Sequence, residues 1–215
     1  IEGNFESAAL QNVERESYVC VMILLGLLCV LFFVTHSLLA SNSAKGAAEK
    51  FLGSMFVFYR LAYNALSLVF LFLILFVLLK RHQMNFVFQP NQFLSYAGIL
   101  AMAAGVFIII LAFGNYDLGE FAGIKQLAQQ IHHPEKLVIK GLGKYVRHPL
   151  YFGIIVLAAG LFIYMPTQMN LLSALITCAY IYIGARLEEK KLEEVFGEEY
   201  RSYTQRTKML LPFLF

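Results

Sequence analysis

Apolar residues gather into five tracts, at about Tyr18–Ala40, Leu52–Leu79, Phe93–Phe113, Leu150–Met165 and Leu171–Ala185. A helix needs about 20 apolar residues to cross a ~30 Å hydrocarbon core. Four of the tracts approach or exceed that length and one is short; the second is long enough to tilt. Backbone polar groups cannot go unpaired in lipid, so each tract is expected to be a helix. No strand-like alternation suggests a barrel. Only Pro166-Thr167-Gln168-Met169-Asn170 separates the last two tracts. A proline-led link that short folds them into an antiparallel hairpin. The segment after it, from Glu188 to Tyr203, reads as a helix continuing into water. Its period places Leu187, Leu192, Val195 and Phe196 near one face, with Lys190, Glu193 and Glu194 elsewhere. Gly197 is expected to break or cap it. The expected fold is an all-α integral membrane protein: five transmembrane helices, a C-terminal helical hairpin and a cytoplasmic amphipathic helix.

Composition agrees with the pattern. The chain of 215 residues is 59% hydrophobic and 14% charged, against about 25% charged in soluble domains. Tyrosine and phenylalanine must supply any interfacial belt, because tryptophan is absent. Cys20, Cys29 and Cys178 all lie in apolar runs without metal-ligand spacing and read as small buried hydrophobes. Residues 1–17 are expected to form an extracytoplasmic tail, of which the first ten, lacking an initiator Met, suit a processed end. Residues 18–215 form a single membrane domain with a core at about 141–215. Thirteen of the seventeen Lys and Arg residues fall on one side of the expected bundle; Arg15, Lys80 and Arg81 fall on the other, and Arg60 lies inside the second tract. That bias predicts an integral protein of a bacterial inner membrane, N-terminus outside and C-terminus cytoplasmic.

Polar chemistry concentrates where the hairpin opens. Lys144–Gly153 reads K-Y-V-R-H-P-L-Y-F-G at the mouth of the fourth tract. Pro149 suits the first helical turn, which sets Arg147 and His148 at a helix N-terminus. Unpaired N–H groups and the positive end of the dipole favour an anion there. Tyr151 adds a ring and a hydroxyl, and Gly153 permits close approach of a ligand or another helix. Arg186-Leu187-Glu188-Glu189 marks the exit of the fifth tract. The hairpin brings the two clusters to one membrane surface, where ionisable groups usually have partners and a function.

R-H-P-L-Y-F-G, then R-L-E-E-K-K-L-E-E-V-F-G-E-E-Y-R-S-Y, then the closing L-L-P-F resemble the C-terminal signature of integral-membrane methyltransferases. That group is related to isoprenylcysteine carboxyl methyltransferase and the phospholipid methyltransferases. T-H-S-L-L-A-S at 35–41 and N-Y-D-L-G-E-F-A-G-I-K-Q at 115–126 are similar to its bacterial branch of methanethiol S-methyltransferase and NnrU-like proteins. The resemblance implies S-adenosylmethionine as cofactor at the cytoplasmic face. No G-x-G-x-x-G opens a βαβ unit here, so helix ends and loops must hold it. By the same resemblance Arg147, His148, Pro149, Tyr151 and Gly153 belong to the cofactor shell, with Gly141 and Tyr145 covering the adenosyl group. Glu188 and Glu189 would bind ribose hydroxyls or hold Arg186. Arg186 and Glu189 are the implied catalytic pair. Gly143 departs from the family, which commonly has an aromatic there.

Methyl transfer from a sulfonium is an in-line displacement, so positioning supplies much of the rate, up to ~7–11 kcal/mol. A lipophilic acceptor would enter from the bilayer. His36, Arg60 and Asn64 are candidate substrate contacts; Tyr59, Tyr63 and Asn115 are weaker lining candidates. Adjacent His132 and His133 diverge and lack a third ligand, so no metal is expected, and nothing points to nucleic acid. A small thiol is the expected acceptor. A prenylated cysteine carboxylate or a lipid amine remains the alternative, and a transporter or scaffold the non-enzymatic one.

Overall fold

The computed structural model describes residues 2–80, 85–114, 118–124 and 137–212. Its helices are α1 Glu2–Ala40, α2 Asn42–Leu52, α3 Tyr59–Leu79, α4 Gln92–Phe113, α5 Leu118–Ala122, α6 Pro149–Tyr164, α7 Gln168–Phe196 and α8 Glu198–Arg206. Short 3-10 turns cover Gly53–Phe58 and Gly141–Lys144. Among the described residues there is no β-strand, only isolated bridges. Four helical stretches are long and apolar enough to cross a membrane: Asn12–Ala40, Asn42–Leu79, Gln92–Phe113 and Gln168–Phe196. The fifth apolar helix, α6, has 16 residues. At 1.5 Å per residue it is about 24 Å long, short of a hydrocarbon core. Large apolar side chains such as Phe72, Phe93 and Leu100 point outward, as lipid contact requires.

One element differs from the sequence expectation. The second tract is not one helix. Ser41 caps the start of α2, its Oγ accepting from the Ala44 N–H at 3.1 Å. Gly53 ends that helix with φ +52, a conformation few side chains tolerate. A 3-10 turn follows, so Arg60 sits in the first turn of α3 and not in the middle of an unbroken helix. Hydropathy hid the break because Phe51, Leu52, Met55, Phe56 and Phe58 keep the tract apolar across it. The last tract, by contrast, runs on without interruption, so the polar tail continues the same helix to Phe196. Gly197 then caps α7 with φ +51, its N–H donating to the Glu193 carbonyl at 2.9 Å, and α8 begins.

Helices α4 and α6 lie antiparallel in close backbone contact. A methyl added at Gly98 would come 2.5 Å from the Tyr164 nitrogen, and at Gly105 2.6 Å from that of Leu157. At Gly160 it would lie 2.6 Å from the Met102 nitrogen, and at Gly153 2.7 Å from Ile109. Glycines seven apart on each helix thus form one flat seam. Lipid tails compete for apolar surface, so helices in a bilayer gain mainly from such tight van der Waals packing. The close approach of another helix that the sequence allowed at Gly153 is present here.

A separate core joins α1, α3 and α7 through Tyr18, Leu25, Cys29, Ile74, Val77 and Met169. Cys29 is buried there, whereas Cys178 is half-buried and Cys20 exposed. At the turn of the α6–α7 hairpin, Thr167 caps α7, accepting from the Asn170 N–H at 3.2 Å. After α8 the chain doubles back. Residues 207–210 run beside 146–148, where the Arg147 N–H donates to the Lys208 carbonyl at 2.8 Å and the His148 N–H to that of Met209 at 3.1 Å. Met209 and Leu210 then bury against Ile181 and Ala185 of α7.

Candidate active site

The hairpin geometry follows from Pro149, which occupies the first turn of α6 and leaves His148 as the N-cap residue. The returning C-terminal strap engages the backbone of Arg147 and His148. Their side chains meet α7 one turn beyond its last apolar residues. Arg147 Nε donates to Glu189 Oε1 at 2.5 Å, and both side chains are about nine-tenths buried. Nη1 of the same guanidinium donates to the Thr204 carbonyl at 3.2 Å and to that of Thr207. Arg147 thereby ties α7, α8 and the strap together.

His148 is 6% exposed. Its Nε2 lies 3.4 Å from Glu189 Oε1 and its Nδ1 3.6 Å from Glu188 Oε2. The ring stacks on Tyr151 at 5.3 Å between centroids and 20° between planes. Tyr151 Oη donates to Glu188 Oε2 at 3.0 Å. Burial pushes the Glu189 carboxyl up, but the His148 and Arg147 side chains outweigh it and hold the group down at about 2. Near this carboxylate the buried Tyr200 Oη lacks a hydrogen-bond partner in the protein, and His148 Nε2 has only its long contact with Glu189 Oε1. Tyr200, on α8, is 2% exposed. Burial, and then the Glu189 charge, push its phenol well above the ordinary range. Buried polar groups are seldom left unpaired, and each such vacancy in a native fold asks for a ligand or water.

The remaining expected residues fall around this centre unevenly. Gly141 opens the 3-10 turn with φ +48, and Tyr145, at 61% exposure, follows it. Tyr203 donates to the Gly143 carbonyl at 2.5 Å. A ring from α8 therefore stands over the position where an aromatic was expected in the loop. Arg186 is exposed and takes no part in the ion pairs of this cluster among the described residues. One helical turn separates it from Lys190, on the outer side of α7.

A second polar cluster lies between α1, α3 and α7. His36 Nδ1 is 3.2 Å from Ser67 Oγ, and Nε2 is 3.1 Å from Tyr63 Oη. Ser67 Oγ donates to the Tyr63 carbonyl at 2.9 Å. Next to them, Ser37 Oγ and Tyr180 Oη are 3.0 Å apart, and Phe33 stacks on Tyr180 at 3.9 Å. Tyr59 Oη donates to the Leu39 carbonyl at 2.8 Å. Asn64 Nδ2 donates to the Ala122 carbonyl at 3.1 Å, and Arg60 packs beside Gly123. The structure thus joins His36 with Tyr63, and Arg60 with Asn64. Asn115, His132, His133, Lys125, Lys136 and Arg81 lie outside the described residues. Among the described residues no group of three His, Cys, Asp or Glu could hold a metal.

Sequence reasoning missed Tyr200, Tyr203, Thr204 and Thr207. Their signal was the run E-E-Y-R-S-Y-T beyond Gly197, whose return to Arg147 no helical period announces. It also missed Ser37, Ser67 and Tyr180, polar residues inside apolar helices.

A membrane protein, helical throughout its described residues, with a charged cluster at the open end of a helix hairpin is the class that fold and site define. Residues 23–214 match the family described as NnrU protein, and the chain belongs to that family. It is 37% identical over 122 residues to methanethiol S-methyltransferase 1 of Bradyrhizobium diazoefficiens, covering 55% of this chain and 40% of that protein. It is 47% identical over 75 residues to the methanethiol S-methyltransferase of Pseudomonas deceptionensis, covering 34% and 27%. Protein-S-isoprenylcysteine O-methyltransferase B of Arabidopsis thaliana is 24% identical over 200 residues, covering 87% of this chain and 91% of the relative. The chain spans less than half the length of the methanethiol S-methyltransferases it matches. No solved structure matches it at a significant level.

Proposed function

We propose that this chain is a membrane methyltransferase that takes its methyl group from S-adenosylmethionine and delivers it to a small or lipophilic thiol at the cytoplasmic face. The observation that carries this reading is the polar cluster around Glu189. A buried ion pair fixes the carboxylate, the buried Tyr200 Oη beside it has no protein partner, and His148 Nε2 has only a long contact with Glu189. A ligand with hydroxyls and a charged amino-acid end fits such a set. The names of the relatives point the same way, and the excess of Lys and Arg at this end of the helices supports a cytoplasmic recess.

The cofactor, when bound, supplies an electrophilic methyl group. Everything else is left to the chain. Glu189, kept ionised by Arg147, offers acceptor oxygens to vicinal hydroxyls. His148 and Tyr200 supply the polar contacts that the protein leaves open. The stacked His148–Tyr151 pair forms a flat wall, and Gly141 and Tyr145 lie at the rim. Glu188 and Glu189 place negative charge where a cationic donor gains from it. Arg147, already engaged by protein acceptors, positions Glu189, and exposed Arg186 is free to orient the acceptor. Holding donor and acceptor in line is the main catalytic task, because neither bond needs a metal or a covalent enzyme intermediate.

Purified protein given labelled S-adenosylmethionine should methylate methanethiol or a longer alkyl thiol, and Glu189→Gln should lower cofactor affinity by ~10-fold or more. A second reading, carboxyl methylation of an isoprenylcysteine, draws on the match that spans 91% of the Arabidopsis relative. The same assay with an S-prenylated cysteine separates the two. Transfer to neither acceptor would contradict both.

A further inference from the structure

His36, Tyr63 and Ser67 form a hydrogen-bond chain whose direction is fixed by counting protons. Ser67 has one hydroxyl proton, and it goes to the Tyr63 carbonyl. Its oxygen can then only accept from His36 Nδ1, so Nδ1 carries the imidazole proton. Nε2 is left bare and accepts from the Tyr63 hydroxyl. Each donor proton in the set has an acceptor, and Tyr63 Oη keeps lone pairs for a further donor.

The chain and the Glu189 cluster share one helix. Ser37, adjacent to His36, meets Tyr180 of α7. Tyr180 precedes Glu189 by nine residues of one helix, about 13 Å at 1.5 Å per residue. The His36 cluster therefore lies about two and a half helical turns along α7 from the Glu189 cluster, toward the α6–α7 turn. The titratable groups facing it are Tyr59, Arg60 and Tyr63 of α3 and Tyr180 of α7, with Lys45 of α2 and Lys191 of α7 near Arg60.

We propose that Tyr63 and His36 are the proton acceptor of the reaction, taking the thiol proton as the methyl group is transferred. This rests on the thiol reading given above. The acceptor S–H donates to Tyr63 Oη. As sulfur attacks the methyl carbon and the donor's carbon–sulfur bond breaks, the thiol proton passes to Tyr63 Oη and the phenolic proton passes to His36 Nε2. The products are a thioether, the neutral demethylated donor and an imidazolium held by Ser67, which releases its proton to solvent before the next turnover. Atoms and charge balance, since the positive charge lost by the sulfonium reappears on His36. A lone alkyl thiol, with a pKa near or above that of cysteine at about 8.5, is mostly protonated at neutral pH, so such an acceptor contributes rate in the range ~10²–10⁴.

The test follows methyl transfer to an alkyl thiol between pH 6.5 and 10 in wild type, His36→Asn and Tyr63→Phe, with S-adenosylmethionine affinity measured in parallel as a control of folding. The expected result is a loss of ~100-fold or more in both variants at pH 7. Recovery to within a few-fold of wild type should come at high pH, where the thiol ionises unaided, with cofactor affinity unchanged. Equal losses at every pH, or undiminished activity at pH 7, would overturn the relay while leaving the methyltransferase reading intact. A wild type that binds cofactor but methylates only carboxylates or no acceptor at all would remove the relay together with the thiol reading.

Discussion

The two polar clusters of this protein lie about two helical turns apart and are finished to different degrees. Around His36 every donor finds an acceptor within the protein. Around Glu189 a strong ion pair coexists with a buried phenol, Tyr200 Oη, that bonds to nothing and an imidazole nitrogen, His148 Nε2, held only by a long contact. A closed network holds its own geometry and can pass a proton along a set direction. An open one keeps a cost that a ligand removes on binding. On this difference we assign cofactor binding to the second cluster and proton handling to the first.

The largest effect that breaks the comparison should come from the ion pair. Arg147→Ala leaves Glu189 buried without its cation and frees α8 and the strap. A loss of about 3–5 kcal/mol is expected, read as a fall in thermal midpoint of the detergent-solubilised protein and as loss of cofactor binding. Overpacking the seam that carries the recess comes next. Gly105→Leu or Gly160→Leu must part backbones already in contact, at a cost of about 1–3 kcal/mol or more, whereas Gly46→Leu, with open space around it, should change stability little. Tyr200→Phe sharpens the contrast. It removes an atom without a protein partner, so stability should hold or rise slightly. Cofactor affinity should fall roughly ten-fold, as for loss of one hydrogen bond of ~1–1.5 kcal/mol. The matched change Tyr63→Phe should leave affinity alone.

Acid should weaken the open cluster first. Glu189 titrates at about 2 in the fold, against about 4.3 for a free glutamate. Its stabilising contribution is therefore complete above about pH 4.3 and drains away as pH falls toward 2. A pH series of thermal midpoints should show that slope in wild type and a shallower one in Glu189→Gln.

How much of this was legible in the sequence depended on the range of the interaction. The hairpin, the apolar helices and the meeting of Arg147 with Glu189 follow from a short proline-led turn and from charges placed at two helix ends. The break at Gly53 was hidden because flanking phenylalanines mask a left-handed glycine in any average of hydropathy. The seven-residue spacing of Gly98 with Gly105 and Gly153 with Gly160 could have announced the α4–α6 seam, yet an isolated glycine in an apolar run reads as neutral. Tyr200 was invisible for a different reason. Nothing local says that residues 207–210 return to pair with 146–148, and only that return brings α8 over the recess. Arg186, adjacent to the acidic pair in sequence, is exposed on α7 and outside the ion pairs around Glu189 among the described residues.

Titrating purified protein with S-adenosylmethionine by calorimetry, in wild type and in Glu189→Gln, tests the central assignment most directly. The account predicts saturable one-to-one binding that the substitution weakens by ~10-fold or more. No heat of binding in a folded wild type, or equal affinity in the two proteins, would contradict it.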